Sequence, residues 1–315
     1  MNWITQAIDD LIIKSDNELH SRIELIEKDF KFDSTETSAH FYFIKLDGNG
    51  NPRKSDLLKY VAMKIVDYSI PKKEQIEAKE YFIKNNSTVK VIELRQKAVK
   101  LFTDLEKTGE LGEMLLYILT EDILKLPQII SKMTLKTSGK LHYQGADGVH
   151  FNYNEADDTL DLYWGESKME KTITSALSNC FDSITPFLTD PISYDSTQNR
   201  DLQLITSNIS ENINNKKLED FLVNYFDLNS DYSNKLNFKG ICFVGFDVKN
   251  YPSKPKEKTT VILLEEFKNK LESWKKSIQT QISNHPELNK FEINIFLMPF
   301  ESVEKMREEF LDLMK

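Results

Sequence analysis

Two stretches of alternating apolar and polar residues, joined by a short polar turn, constrain this chain more than any other feature. They are Gly145-Ala146-Asp147-Gly148-Val149-His150-Phe151-Asn152-Tyr153 and Leu160-Asp161-Leu162-Tyr163-Trp164-Gly165-Glu166-Ser167-Lys168. Between them lies Asn154-Glu155-Ala156-Asp157-Asp158-Thr159. Alternation of this kind marks half-buried strands, and the polar linker predicts a hairpin. Folded symmetrically, it pairs Tyr153 with Leu160, Phe151 with Leu162, Val149 with Trp164 and Asp147 with Glu166. Side chains alternate with period two, so these pairs share one face. A slip of one residue would move the apolar set to the other face, which favours this register.

That face ends in two carboxylates, Asp147 and Glu166, with Lys168 two residues further on. Opposed Cβ atoms lie about 4.5–5.5 Å apart, close enough for two carboxylates to share one cation. Oxygen ligands suit a hard dication, Mg²⁺ or Mn²⁺. The Lys168 ammonium then completes a site for an anionic substrate. In phosphodiester hydrolysis a metal lowers the pKa of a bound water and polarises the phosphoryl oxygen. A lysine orients that water or stabilises charge growing on the phosphate. The plainer alternative is a salt-bridged strand end. On the preceding helix Glu110, Glu113 and Tyr117 fall on one face, beside the apolar set Leu111, Leu115 and Ile118. Glu113 or Glu110 is a candidate third acid, although acids are favourable in any first helical turn. Gly109 and Gly112 permit close approach of that helix to a sheet.

The rest of the pattern predicts an α/β (or α+β) fold with a mixed sheet flanked by helices. Residues 1–30 read as a short helix followed by a strand or second helix. His40–Ile44 reads as a strand, ending at the turn signal 47–52. Helices are expected over 54–68, 72–84, 88–107 and 109–125, the last with Thr108 as N-cap. Strands are expected near 130–137, 146–153, 160–168, 239–246 and 291–298. Helices are expected over 170–187 and twice across 198–227. A stripe of Leu264, Phe267, Leu271, Trp274, Ile278 and Ile282 marks a helix over 259–283. The 315 residues suggest about two domains. A boundary near residue 100 would separate a mostly helical, basic region, 1–100, from a sheet-based domain, 101–315.

Charge is uneven. The net value is −9. Residues 52–100 carry 12 basic and 6 acidic residues, whereas residues 146–231 carry 5 basic and 16 acidic ones. A basic segment beside a carboxylate-rich one can grip phosphates and hold cations, although two solvated faces give the same pattern. Two cysteines, Cys180 and Cys242, exclude a disulfide framework and a multi-cysteine metal site. No run approaches a membrane span, and Met1–Thr5 lacks a signal-peptide pattern, so a cytoplasmic address is expected. Neither a Walker motif nor a dinucleotide fingerprint occurs, so any ATP use belongs to a partner. His142 and His150 flank the hairpin region but read as a surface loop residue and a structural residue.

The Asp plus Glu-x-Lys arrangement resembles the PD-(D/E)xK nuclease superfamily. Its restriction-endonuclease-like core runs helix, three-stranded meander, helix, strand. The expected order here is helix 109–125, strands near 133, 147 and 164, helix 170–187 and strand 239–247. Ala146 replaces the proline of the signature name. Four blocks narrow the resemblance: Thr108 to Tyr117, Ser131 to Thr137, Gly145 to His150 and Tyr163 to Met169. Together they resemble the HamA family, the nuclease subunit of the bacterial Hachiman antiphage defence system, partnered by HamB, a superfamily-two helicase. The resemblance implies a Mg²⁺- or Mn²⁺-dependent DNA nuclease held in check by the helicase. Asp147, Glu166 and Glu113 would bind metal, Lys168 would handle the water or phosphate, and Glu110 would stand second to Glu113. Partner surfaces are expected in the basic N-terminal part and in the acidic stretch 189–231. The alternatives are a catalytically silent adaptor of the same fold and a standalone restriction-type endonuclease.

Overall fold

The computed structural model describes residues 3–12, 18–103, 109–131, 145–190 and 196–315. A short helix, α1 (Trp3–Asp9), precedes β1 (Ile23–Lys31) and β2 (Thr37–Ile44). Helices α2 (Lys54–Met63), α3 (Ile65–Ser69), α4 (Lys72–Asn85) and α5 (Val89–Thr103) follow. Helix α6 (Glu110–Leu119) runs into a π-helical turn, Thr120–Leu124. Next come the hairpin β3 (Gly148–Asn154) and β4 (Thr159–Glu170), then α7 (Ile173–Thr189), α8 (Thr197–Asn212) and α9 (Lys216–Phe226). The chain ends with β5 (Leu236–Asp247), α10 (Thr260–Lys268), α11 (Leu271–Asn284), β6 (Ile293–Phe300) and α12 (Val303–Met314).

All six strands form one mixed sheet in the order β1-β2-β6-β5-β4-β3. The two outer pairs are antiparallel and the inner pairs are parallel. Parallel neighbours need long crossovers, which explains why helices separate β4 from β5 and β5 from β6. Every residue of β2 and β6 is buried, as expected for strands covered on both faces. The two faces of β4 show how the layers form. Trp164 stacks on Phe187 of α7, with centroids 5.2 Å apart. Its neighbour Gly165 faces the other way, towards Leu116 of α6. Helix α7 therefore covers one face and α6 the other. The stripe Ala176, Leu177, Cys180, Phe181, Ile184 and Phe187 is buried, and Thr172 caps α7 by accepting from the Ser175 amide.

Mixed sheet, flanking helices and most element positions agree with the sequence expectations. The differences have local causes. The predicted boundary near residue 100 does not divide the sheet, because β1 and β2 join strands from beyond it. Helix 54–68 breaks at Lys64, and the helix over 259–283 breaks after Lys268, where the Lys270 amide turns back to the Phe267 carbonyl. The buried stripe there begins at Leu263 rather than Leu264. The final helix, α12, had no sequence expectation. Thr108, His142 and most of the strand expected over 130–137 lie outside the described residues. At the near edge of that strand Gln128 bridges His150, and the Ile129 amide donates to the Val149 carbonyl at 2.9 Å. Among the described residues no helix is long and apolar enough to cross a membrane.

Candidate active site

The hairpin forms in the expected register: Tyr153 with Leu160, Phe151 with Leu162, Val149 with Trp164 and Gly148 with Gly165. The ladder stops there. Asp147 precedes the strand, and its amide donates to the Gly165 carbonyl at 2.7 Å. Strict alternation therefore does not reach Asp147. The opposition of Asp147 and Glu166 expected from the register lies one step beyond the last paired residues, and one Asp147 carboxylate oxygen accepts from the Ser167 amide and hydroxyl, each at 2.8 Å. Ser167 faces α6, since a Cβ at Gly112 would lie 3.1 Å from its hydroxyl. Missing side chains at Gly112 and Gly165 let α6 approach the sheet closely.

A cleft of about 450 Å³ opens at the carboxyl end of β4. Gly112 and Glu113 line it from α6, Asp147 from the head of the hairpin, Ser167 to Lys171 from β4 and the residue after it, and Arg307 from α12. Carboxyl ends of parallel strands are where open α/β sheets form ligand crevices. Glu113 is buried, and one of its carboxylate oxygens accepts from the Tyr68 hydroxyl at 2.9 Å. Burial pushes the Tyr68 phenol well above the ordinary tyrosine range, and Glu113, Asp147 and Glu110 push it further. One hydroxyl thus senses three carboxylates from two elements. Glu110 is buried but does not line the cleft; Glu113 does.

Glu166 lies beneath Lys168 rather than on the cleft wall. The lysine ammonium donates to its carboxylate at 2.9 Å. Burial works against the charge on Lys168, but Glu166 and then Asp147 outweigh it and hold its pKa above the ordinary lysine value. The Cys180 thiol donates to the Glu166 carbonyl at 3.4 Å, and burial pushes that thiol well above its usual range. It is a core residue. Buried His150 hydrogen bonds the Leu126 carbonyl through Nδ1, and burial lowers its pKa to about 4. It stays neutral and structural, as the sequence suggested.

The structure thus brings Asp147, Glu113 and Lys168 to one cleft and sets Glu166 immediately behind Lys168. Tyr68, Lys171 and Arg307 are added by tertiary structure. No motif or local spacing in the sequence marks any of the three. Among the described residues no group of three acids, histidines or cysteines stands together as a preformed metal cage. A family model described as HamA matches residues 20–314, nearly the whole chain. No curated protein matches the chain. A match of that extent shows that the chain belongs to the HamA family.

Proposed function

We propose that this chain is the DNA nuclease of a Hachiman defence system, a metal-dependent phosphodiester hydrolase restrained by the helicase HamB. The observation that carries this reading is the convergence of Asp147, Glu113 and Lys168 on one cleft. Mg²⁺ prefers one or two carboxylates together with waters and substrate phosphate to an all-protein cage. Two hard oxygen donors on one wall suit that preference, so the residues fit Mg²⁺, and Mn²⁺ by the same chemistry. Asp147 and Glu113 would hold the metal from the cleft, with Glu166, paired to Lys168 just behind it, as the third acid. When bound, the metal supplies an activated water and polarises the phosphoryl oxygen. Ser167 holds Asp147 through two hydrogen bonds, and Tyr68 holds Glu113 through one, so both carboxylates are oriented before any ligand arrives. Lys168 stays charged and presents its ammonium to the phosphate or the attacking water. Glu110 acts behind Glu113 by fixing the local charge.

A protein partner is supported by an exposed apolar cluster at the α4–α5 tip. Tyr81, Phe82, Ile83, Val89, Val91 and Ile92 are all exposed there. Concentrated apolar surface of this kind marks interaction sites.

The test is degradation of plasmid or phage DNA with Mg²⁺ and with EDTA, using wild type, Asp147→Asn, Glu166→Ala and Lys168→Ala. Each substitution should abolish cleavage in folded protein. Full activity in EDTA, or in Lys168→Ala, would sink the reading. A DNA- or helicase-binding adaptor without catalysis is favoured only by the direct Lys168–Glu166 pair. Wild-type inactivity with the partner, ATP and DNA ends present would establish it.

A further inference from the structure

Arg307 reaches the cleft from the last helix, 139 residues along the chain from Lys168 at the end of the hairpin motif. Its Nη2 donates to the Met169 carbonyl. Met169 follows Lys168 directly, so the guanidinium is anchored one residue from the lysine of the site. Among the described residues that is its one hydrogen bond, and its buried Nε has no acceptor. A guanidinium carries five N–H donors in a fixed fork, so one anchored Nη2 leaves Nη1 free to serve a ligand. Four carboxylates surround it: Glu170, Glu110, Asp247 and Glu304. None of them hydrogen bonds it, and only Glu170 shares the cleft wall. Lys168 and Lys171 share that wall too.

A half-buried arginine, pinned by a main-chain carbonyl and turned into a cleft beside two lysines, is built to receive an anion with paired oxygens. Arginine suits phosphate for this reason, its fork matching two phosphate oxygens at once. We propose that Arg307 is a substrate-binding residue that holds a backbone phosphate of DNA next to the one at Lys168. Met169 positions it. The inference rests on the nuclease reading and deepens it, because it makes the C-terminal helix part of the substrate site.

The test is binding of a short fluorescent DNA duplex to the full chain in EDTA, where no cleavage intervenes, read by anisotropy across a salt series. Loss of one phosphate contact should weaken binding about 10-fold and lower the slope of log K against log salt by about 0.9. Arg307→Gln should show both effects, and Arg307→Lys should keep the wild-type slope because it keeps the charge. Arg307→Met, which retains the apolar stem, replaces the Gln variant if circular dichroism shows that variant unfolded. A lower melting temperature with unchanged affinity and slope would reduce Arg307 to a structural staple and overturn the inference. In that case the nuclease reading stands, provided wild type still cleaves with Mg²⁺. Wild-type protein that neither binds nor cleaves DNA would overturn both.

Discussion

At Gly165 a methyl group has nowhere to go. An added Cβ would lie 2.9 Å from Leu116 and 3.1 Å from the Gly148 carbonyl oxygen. Gly165→Ala must displace the Leu116 side chain and crowd the Gly148 backbone, at a cost of about 1–3 kcal/mol in unfolding free energy. Gly48, with nothing within 4 Å of its added Cβ, should change by less than about 0.5 kcal/mol on replacement by alanine. Urea unfolding of the two variants checks this contrast. Glu121 gives the pH prediction. Burial raises its pKa to about 7, against Lys72, the Gln128 amide and the Tyr117 hydroxyl. Between its unfolded value near 4.5 and about 7, the folded state keeps a proton that the unfolded state has released. Its contribution is present at low pH and is lost as pH rises through that window. Glu121→Gln should flatten the fall in stability between pH 5 and pH 8, as measured by unfolding at each pH. An unchanged slope would mean that Glu121 titrates normally.

Strand β4 holds the site and the core in one element. Trp164 packs on α7 while Gly165 and Ser167 meet α6, so Trp164 anchors the sheet two residues before Glu166. Trp164 is fully buried and also meets Phe238 edge-on at 5.8 Å. Trp164→Ala should cost about 3–5 kcal/mol and weaken cleavage through loss of the scaffold. Trp164→Phe should recover much of both. Thermal melts, with cleavage assayed well below the melting point, separate the two effects. Hairpin register was legible in the sequence because an apolar face leaves one pairing with its residues inside. The orientation of Asp147 was not legible. It sits where the ladder ends, and there backbone bonding to Gly165 and capping by Ser167 decide the geometry instead of alternation.

For the whole molecule the issue is restraint. A nuclease with little sequence readout damages its own host if it is always active, and the HamA family belongs to a system that includes a partner. We expect this chain and HamB to co-elute on gel filtration, since stable complexes bury roughly 1,200–2,000 Å² or more. Cleavage should be low in the complex and rise with ATP and DNA ends. Ile83→Asp combined with Val91→Asp, at exposed positions on the α4–α5 tip, should leave the melting temperature near wild type and split the complex. Co-elution of that variant with HamB would place the interface elsewhere, with the acidic stretch 189–231 the next surface to alter. No change in cleavage on adding HamB would favour a standalone enzyme.

Local rules were enough for much of this protein. Period-two alternation set the hairpin pairs from Val149 to Leu160, and three- and four-residue spacing marked the buried stripe from Phe267 through Ile282. The order of chemistry-bearing residues, Asp147 then Glu166 and Lys168, was likewise visible, because it is carried by neighbours along two paired strands. Tertiary structure decided the rest. Tyr68 meets Glu113 across 45 residues and Arg307 meets Met169 across 138, distances over which no periodicity operates. Only packing α6 and α12 against the same end of β4 brings those groups to one cleft. The entry of β1 and β2 into the common sheet follows the same logic, since β2 buries both faces and finds its partner, β6, more than 250 residues away.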